Sequence, residues 1–191
     1  MGRIGLGRRI NGKRGQFVLE LVRVKDQVVY SAKSDTLRPF KPPNLQLTSL
    51  PPPGEASCRD MTLVLQTPLR TKHNNHFKDK LPFDVLIRTA LRRASSLLAT
   101  YDGAEPDLDY PGLVHMACSV RIRQCRLRWQ DWDRYSFRQR EKLKLGGLTG
   151  SITYADVPDT FLPLLDFASK VDLGKQTTFG LGRILLINGE H

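Results

Sequence analysis

Residues 82–103 read PFDVLIRTALRRASSLLATYDG, and the reading of this stretch decides the fold class. Phe83, Leu86, Ile87, Ala90, Leu91, Ala94, Leu97, Leu98 and Tyr101 recur at spacings of three and four, while Arg88, Arg92 and Ser96 fall off that stripe. This is the period of a helix that buries one face. Pro82 stands where a first helical turn tolerates proline, and Asp102-Gly103 supplies the stop. Upstream, residues 61–69 put Met61, Leu63 and Leu65 on one face of a strand that Thr67-Pro68 ends. Downstream from Leu113 the period becomes two: Val114, Met116, Cys118, Val120 and Ile122 share one face, and His115, Ser119, Arg121 and Arg123 the other. The apolar phase then passes to Cys125, Leu127 and Trp129, as one extra residue in a strand would cause, so a single long strand with a bulge is expected.

Gly146-Gly147 leads into a strand at 148–154, hairpinned to the one before it. Residues 159–171 read as a second helix, with Phe161, Leu164, Leu165, Ala168 and Val171 on one face, and 177–188 carry a glycine turn and the run Ile184-Leu185-Leu186-Ile187. From residue 61 the order is therefore strand, helix, strand, strand, helix, strand. That is an α+β, ferredoxin-like βαββαβ domain, the arrangement RNA-recognition (RRM-like) domains also use.

Before it, residues 2–15 read as a glycine and arginine loop, 16–24 alternate Phe17, Leu19 and Leu21 as a strand, and 27–30 form a second short strand. Six of the twelve prolines fall in 39–53, too many fixed backbone angles for a helix or a central strand. The expected organisation is a remnant of a first ferredoxin-like domain at 1–33, a proline-rich linker at 34–58 and a complete domain at 59–191. A lone loop and strand cannot close a core, so a truncated chain is expected. The echo of Gly5-Leu6-Gly7-Arg8-Arg9 in Gly180-Leu181-Gly182-Arg183-Ile184 points to two copies of one domain type.

The 191 residues are 40% hydrophobic and 26% charged, a globular composition. No apolar run approaches the ~20 residues of a membrane span, and no secretory leader is legible, so a cytoplasmic protein without a membrane partner is expected. Cys58, Cys118 and Cys125 lack the spacing of a disulfide framework or a cysteine zinc site. Thirty Lys and Arg against 19 acids give a net charge of +11, and the surplus is local. Residues 1–33 carry +6 and residues 120–145 another +6, so the remainder sums to −1. Two such surpluses, mixed with glycine or aromatics, read as phosphate-contacting surfaces.

The sharpest motif is Gly174-Lys175-Gln176-Thr177-Thr178-Phe179-Gly180-Leu181-Gly182-Arg183. Three glycines let a backbone adopt positive φ and approach a ligand closely, and Lys175 and Arg183 can hold phosphate. Gly174, Lys175, Thr177, Thr178, Gly180, Gly182 and Arg183 are thus candidate RNA contacts; the competing reading is a bulged final strand whose glycines accommodate a helix. The motif is neither GxxxxGK[ST] nor GxGxxG, so no nucleotide cofactor is expected. Residues 127–140 interleave Trp129, Trp132, Tyr135 and Phe137 with arginine, suited to stacking on unpaired bases. At least one tryptophan is expected in the core, leaving Tyr135, Arg138 and Arg140 as contacts, joined by Arg8 and Arg9 of the N-terminal stretch. Of four histidines, His73 and His76 flank Asn74-Asn75 on the basic loop before the helix and are the acid/base candidates. No carboxylate or cysteine completes a metal set beside them.

Thr67-Pro68-Leu69-Arg70, Leu91-Arg92-Arg93, the block 132–139, Leu145-Gly146-Gly147-Leu148-Thr149-Gly150 and the block 174–182 follow one another in an order that resembles the C-terminal domain of the CRISPR-associated repeat-RNA processing endoribonucleases of the RAMP superfamily. The likeness runs from about Met61 to the end. It implies two ferredoxin-like domains, a glycine-rich loop that helps hold RNA, and metal-independent cleavage of precursor CRISPR RNA within its repeats. The ribose 2′-OH would attack the adjacent phosphate, with a histidine as acid or base. It also implies repeat RNA and other CRISPR effector subunits as partners. Two departures favour an alternative, a catalytically inactive crRNA-binding subunit. Most of the first domain is absent, and Asp172 stands where many relatives have histidine.

Overall fold

The computed structural model describes residues 4–10, 13–24, 26–40, 47, 50, 57–71, 80–131, 133–136 and 141–188. The chain forms two compact units, Met1–Leu45 and Gln46–His191. In the first, β1 (Ile4–Ile10) pairs antiparallel with β2 (Lys13–Phe17), and β3 (Leu21–Val24), β4 (Gln27–Ser31) and β5 (Thr36–Leu37) form an antiparallel sheet around buried Val29 and Tyr30. The glycine and arginine stretch expected as a loop is therefore a hairpin. Ile4, Leu6 and Ile10 keep the period of two that the glycines obscure, and the register slips between Leu6 and Ile10, an irregularity glycine tolerates. The single strand expected at 16–24 is likewise two.

The second unit opens with β6 (Cys58–Leu69) and α1 (Phe83–Tyr101), followed by a short helix α2 (Tyr110–Ala117) and β7 (Arg121–Gln130). A hairpin of β8 (Asp133–Ser136) and β9 (Glu141–Lys144) precedes β10 (Gly147–Pro158). A 3-10 turn (Asp159–Phe161), α3 (Leu162–Val171) and β11 (Ile184–Asn188) complete it. The sheet order is β11-β6-β10-β7 with every neighbour antiparallel, the ferredoxin-like order, into which α2 and the β8–β9 hairpin are inserted.

Alternation explains the core. Met61, Leu63 and Leu65 of β6, Leu148, Ile152 and Tyr154 of β10 and Ile184 of β11 are buried together with Phe83, Leu86, Ile87, Ala90, Leu91 and Ala94 of α1 and Leu164, Leu165 and Ala168 of α3. Phe83 stands edge-on to Tyr154 at 5.0 Å and to Phe161 at 5.2 Å, and the Tyr154 hydroxyl donates to the Leu81 carbonyl at 2.8 Å. Burial holds that phenol well above its ordinary pKa. The α1 stripe ends before Tyr101, which is 80% exposed.

The long strand expected from Leu113 is two elements. Pro111 lies in the first turn of α2, the Asp109 carboxylate accepts from the Gly112 amide at 3.0 Å, and Leu113 and Ala117, four residues apart, are buried. An N-cap and a helical pair outweigh the alternation of Val114, Met116 and Cys118. The phase change after Ile122 is a bulge: Thr153 pairs with Gln124 and Tyr154 with Ile122, leaving Arg123 as the extra residue.

Outside the helix layer, Asp159 ties the sheet's far end together. It accepts from Arg59 at 2.6 and 2.7 Å and from the Ser57 hydroxyl at 2.6 Å, and these bonds hold its carboxyl below the usual range. A lowered folded pKa stabilises above the ordinary carboxylate pKa and is lost as pH falls through the lowered value. Asp159→Asn is therefore expected to lower the melting temperature at pH 7, with the gap to the parent closing below about pH 4, as thermal melts across pH would record.

Candidate nucleic-acid interface

Strand register brings distant sequence blocks to one end of the sheet. Leu148 pairs with Leu69 on one side and Trp129 on the other, and Ile184 pairs with Leu65. The end of β6, the end of β7, the start of β10 and the start of β11 therefore lie together. Arg70-Thr71 just after the end of β6, the start of the β8–β9 hairpin after β7, the turn at Leu145-Gly146 before β10 and the loop from α3 to β11 all belong to that end.

The α3–β11 loop is an unusual piece of backbone. Asp172 (φ 53), Gly174 (φ 79), Gln176 (φ 65), Gly180 (φ 78) and Gly182 (φ 88) all occupy the positive-φ region. Its ends are fastened by backbone bonds: Leu173 N–H to the Gly182 carbonyl (2.8 Å), Lys175 N–H to Arg70 (2.8 Å) and Gly182 N–H to Pro68 (3.0 Å). Buried Leu173 and Leu181 anchor it, and a 3-10 turn, Thr177–Phe179, forms the part between. The three glycines serve different ends. A Cβ at Gly182 would stand 1.8 Å from the Leu173 oxygen and one at Gly174 2.5 Å from the Arg70 oxygen, whereas at Gly180 it would meet nothing within 4 Å. Packing accounts for Gly174 and Gly182; Gly180 is the glycine whose backbone a ligand can approach.

Around it, Lys175, Thr178, Gly180 and Arg183 are exposed and Thr177 is half-buried. Phe179, 49% exposed beside Gly180, is an aromatic that the motif contains but that residue-type reasoning for phosphate passes over. The open face of the sheet continues the positive surface. Arg126 opposes Ser151 and Arg128 opposes Thr149, both arginines exposed and, among the described residues, in no ion pair. Their neighbours differ: Arg121 pairs with Asp156 at 3.5 Å and Arg123 with Asp60. The sequence shows Arg126 and Arg128 as part of a charge surplus, and the phase change at the bulge sets them on the face opposite Cys125, Leu127 and Trp129; what the structure adds is that they are not committed to a carboxylate among the described residues.

Of the other nominated residues, Tyr135 belongs to β8, where it pairs with Lys142, and Arg8 and Arg9 lie on β1 of the N-terminal unit. His73, His76, Arg138 and Arg140 fall outside the described residues. Trp129 is half-buried, while Trp132 is outside that set. His115 is exposed on α2.

Residues 63–184 match the family model for the CRISPR-associated endoribonuclease Cas6, more than half of the chain. The chain belongs to the Cas6 family. No curated protein matches it significantly. Among solved structures, a partial Cas6-RT-Cas1–Cas2 complex is similar with a TM-score of 0.51 and 21% identity, over 69% of this chain and 23% of that one. A Cas6 from Thermus thermophilus is similar with a TM-score of 0.51 and 14% identity, over 70% of this chain and 55% of that one. These likenesses bear on the fold, and the chain spans about half the length of the Thermus Cas6 and under a quarter of the other.

The split among the glycines is testable. Gly182→Ala is expected to cost more than about 2 kcal/mol through steric clash and positive φ, and Gly180→Ala only the ~1–2 kcal/mol of backbone strain, as urea unfolding would show. Lys175→Ala should leave stability unchanged and flatten the salt dependence of single-stranded RNA binding by about 0.7 in log–log slope.

Proposed function

We propose that this Cas6-family chain holds precursor CRISPR repeat RNA at the sheet end bounded by the α3–β11 loop, and takes part in cutting it. The observation that carries the reading is that the exposed Gly180 backbone and Lys175, in the loop leading into β11, lie at the same end of the sheet as the end of β7, from which the basic β8–β9 hairpin starts. Thr177, Thr178 and Arg183 belong to the same loop, and Tyr135 of β8 is proposed as a further contact together with Arg138 and Arg140, which lie between β8 and β9 in the sequence. Arg8 and Arg9, on β1 of the N-terminal unit, are proposed as further RNA contacts.

The chemistry requires no cofactor. The nucleophile is the substrate's own 2′-OH: its oxygen bonds to the adjacent phosphorus, the bond from phosphorus to the 5′ oxygen breaks, and a 2′,3′-cyclic phosphate and a 5′-OH remain. A base takes the 2′ proton and an acid supplies one to the leaving oxygen. The protein need only align the 2′ oxygen with the scissile bond, neutralise the phosphate and move two protons, so no metal is called for. His73 and His76 are the proposed proton carriers. Support comes from the flank of their segment: Arg70 gives its carbonyl to Lys175 of the loop, and three residues span at most ~11 Å from Arg70 to His73. Other CRISPR effector subunits are proposed partners, in the cytoplasm; the likeness to a Cas6-RT-Cas1–Cas2 complex supports association with CRISPR proteins in general.

The alternative is an RNA-binding subunit that does not cut. One observation favours it: Asp172 places a carboxylate, which cannot serve as a phosphate ligand, 3.4 Å from Arg183. Incubation with repeat RNA in EDTA separates the two. Cleavage is expected to yield a cyclic-phosphate end, with His73→Ala or His76→Ala slowing it about 10²-fold or more. No product between pH 6 and 9 would leave binding alone, and undiminished rates in both variants would remove these histidines from the mechanism.

A further inference from the structure

The end of α3 concentrates negative charge beside a surface meant for phosphate. The last carbonyls of a helix carry the negative pole of its dipole, and Asp172, immediately after Val171, adds a full charge to it. Carboxylates are disfavoured at that position, and Asp172 also takes a positive φ (53°) with an extended ψ (145°). Two arginines answer this charge. Arg93 of α1 donates from Nε and Nη2 to the Val171 carbonyl at 3.1 and 2.9 Å, so the helix pole is satisfied without Asp172's neighbour across the loop. Arg183 is left to Asp172: its Nε donates to Oδ1 at 3.4 Å, its backbone N–H is fixed by the Thr67 hydroxyl at 2.8 Å, and its carbonyl accepts from Gln66. The Asp172 side chain is 17% exposed and that of Arg183 is 62% exposed. The carboxylate is thus held inward while the guanidinium reaches into solvent at a single, long charge-assisted bond.

We propose that Asp172 is a specificity-determining residue that competes with RNA phosphate for Arg183; this rests on the RNA-binding reading above. In the unbound chain the carboxylate parks the guanidinium over the loop. When a phosphate takes Arg183, Asp172 loses its partner and draws a cation from solution, which offsets the counterion released from the RNA. Arg183 then contributes almost nothing to sequence-independent binding, whose driving force is counterion release. An RNA gains from Arg183 only when its phosphate is placed well enough to outbid a carboxylate fixed beside it.

The test measures binding of repeat RNA and of a shuffled RNA of equal length across salt, for the parent chain, Asp172→Asn, Arg183→Ala and the double variant. Asp172→Asn is expected to tighten shuffled RNA about three- to tenfold at low salt, more than it tightens repeat RNA, and to steepen the log–log salt slope by about 0.7. Arg183→Ala should abolish both gains in the double variant while changing the parent's slope little. Asp172→Gly, which removes the charge and relieves the positive φ, should reproduce the asparagine result if that variant fails to fold. No gain in either neutral variant, or a gain that survives Arg183→Ala, overturns the proposal while leaving RNA binding standing. A parent chain that binds neither RNA overturns the RNA reading itself, and this assignment with it.

Discussion

The backbone bonds at the end of β6 are the constraint on which the rest depends. The Pro68 carbonyl accepts from Gly182 and the Arg70 carbonyl from Lys175, so the central strand of the sheet continues into a cradle for the α3–β11 loop. These two bonds fix where the loop begins and ends. They also explain why two glycines are obligatory, since side chains there would run into the carbonyls of Leu173 and Arg70. A loop held at both ends by main-chain atoms of a central strand is rigid at its base while its 3-10 turn faces solvent. That combination presents backbone to a ligand without reorganisation of the scaffold.

Five residues of one loop take positive φ, and at those that are not glycine this is strain of about 1–2 kcal/mol each that something must offset. Asp172 and Gln176 are the two that carry it. Burial of Leu173 and Leu181, the paired bonds from Arg93 to Val171 and the bond between Leu173 and Gly182 are the stabilising terms around them. Local strain over-determined by packing is common where function is grafted onto a fold. Here it falls on the loop that the family resemblance associates with RNA.

Much of this was legible in the sequence, and the exceptions have physical reasons. The α1 stripe, the alternation of β6 and β10, and the order of elements are period arguments, and they gave the ferredoxin-like sheet, which the strand order bears out. Even the bulge at Arg123 was visible as a phase change after Ile122. Helix α2 was not, because Val114, Met116 and Cys118 alternate by accident over a segment whose cap, Asp109, lies outside the window being read. The β1–β2 hairpin was hidden by glycines that lower strand propensity without forbidding a strand. In the candidate site, composition revealed a glycine loop but could not distinguish Gly180 from Gly174 and Gly182, since that depends on carbonyls some ten and a hundred residues away. Nor could charge counting separate Arg126 and Arg128 from Arg121 and Arg123, which are committed to Asp156 and Asp60.

The central claim is that one end of the sheet, rather than the helices, meets RNA. Amide hydrogen exchange with and without a CRISPR repeat RNA tests it most directly. The account predicts slowed exchange at residues 174–183, 145–149 and the end of β7, with α2 and the exposed face of α1 unchanged. Protection confined to α2 or to the solvent face of α1, with the amides of 174–183 exchanging as in the unbound chain, would contradict it.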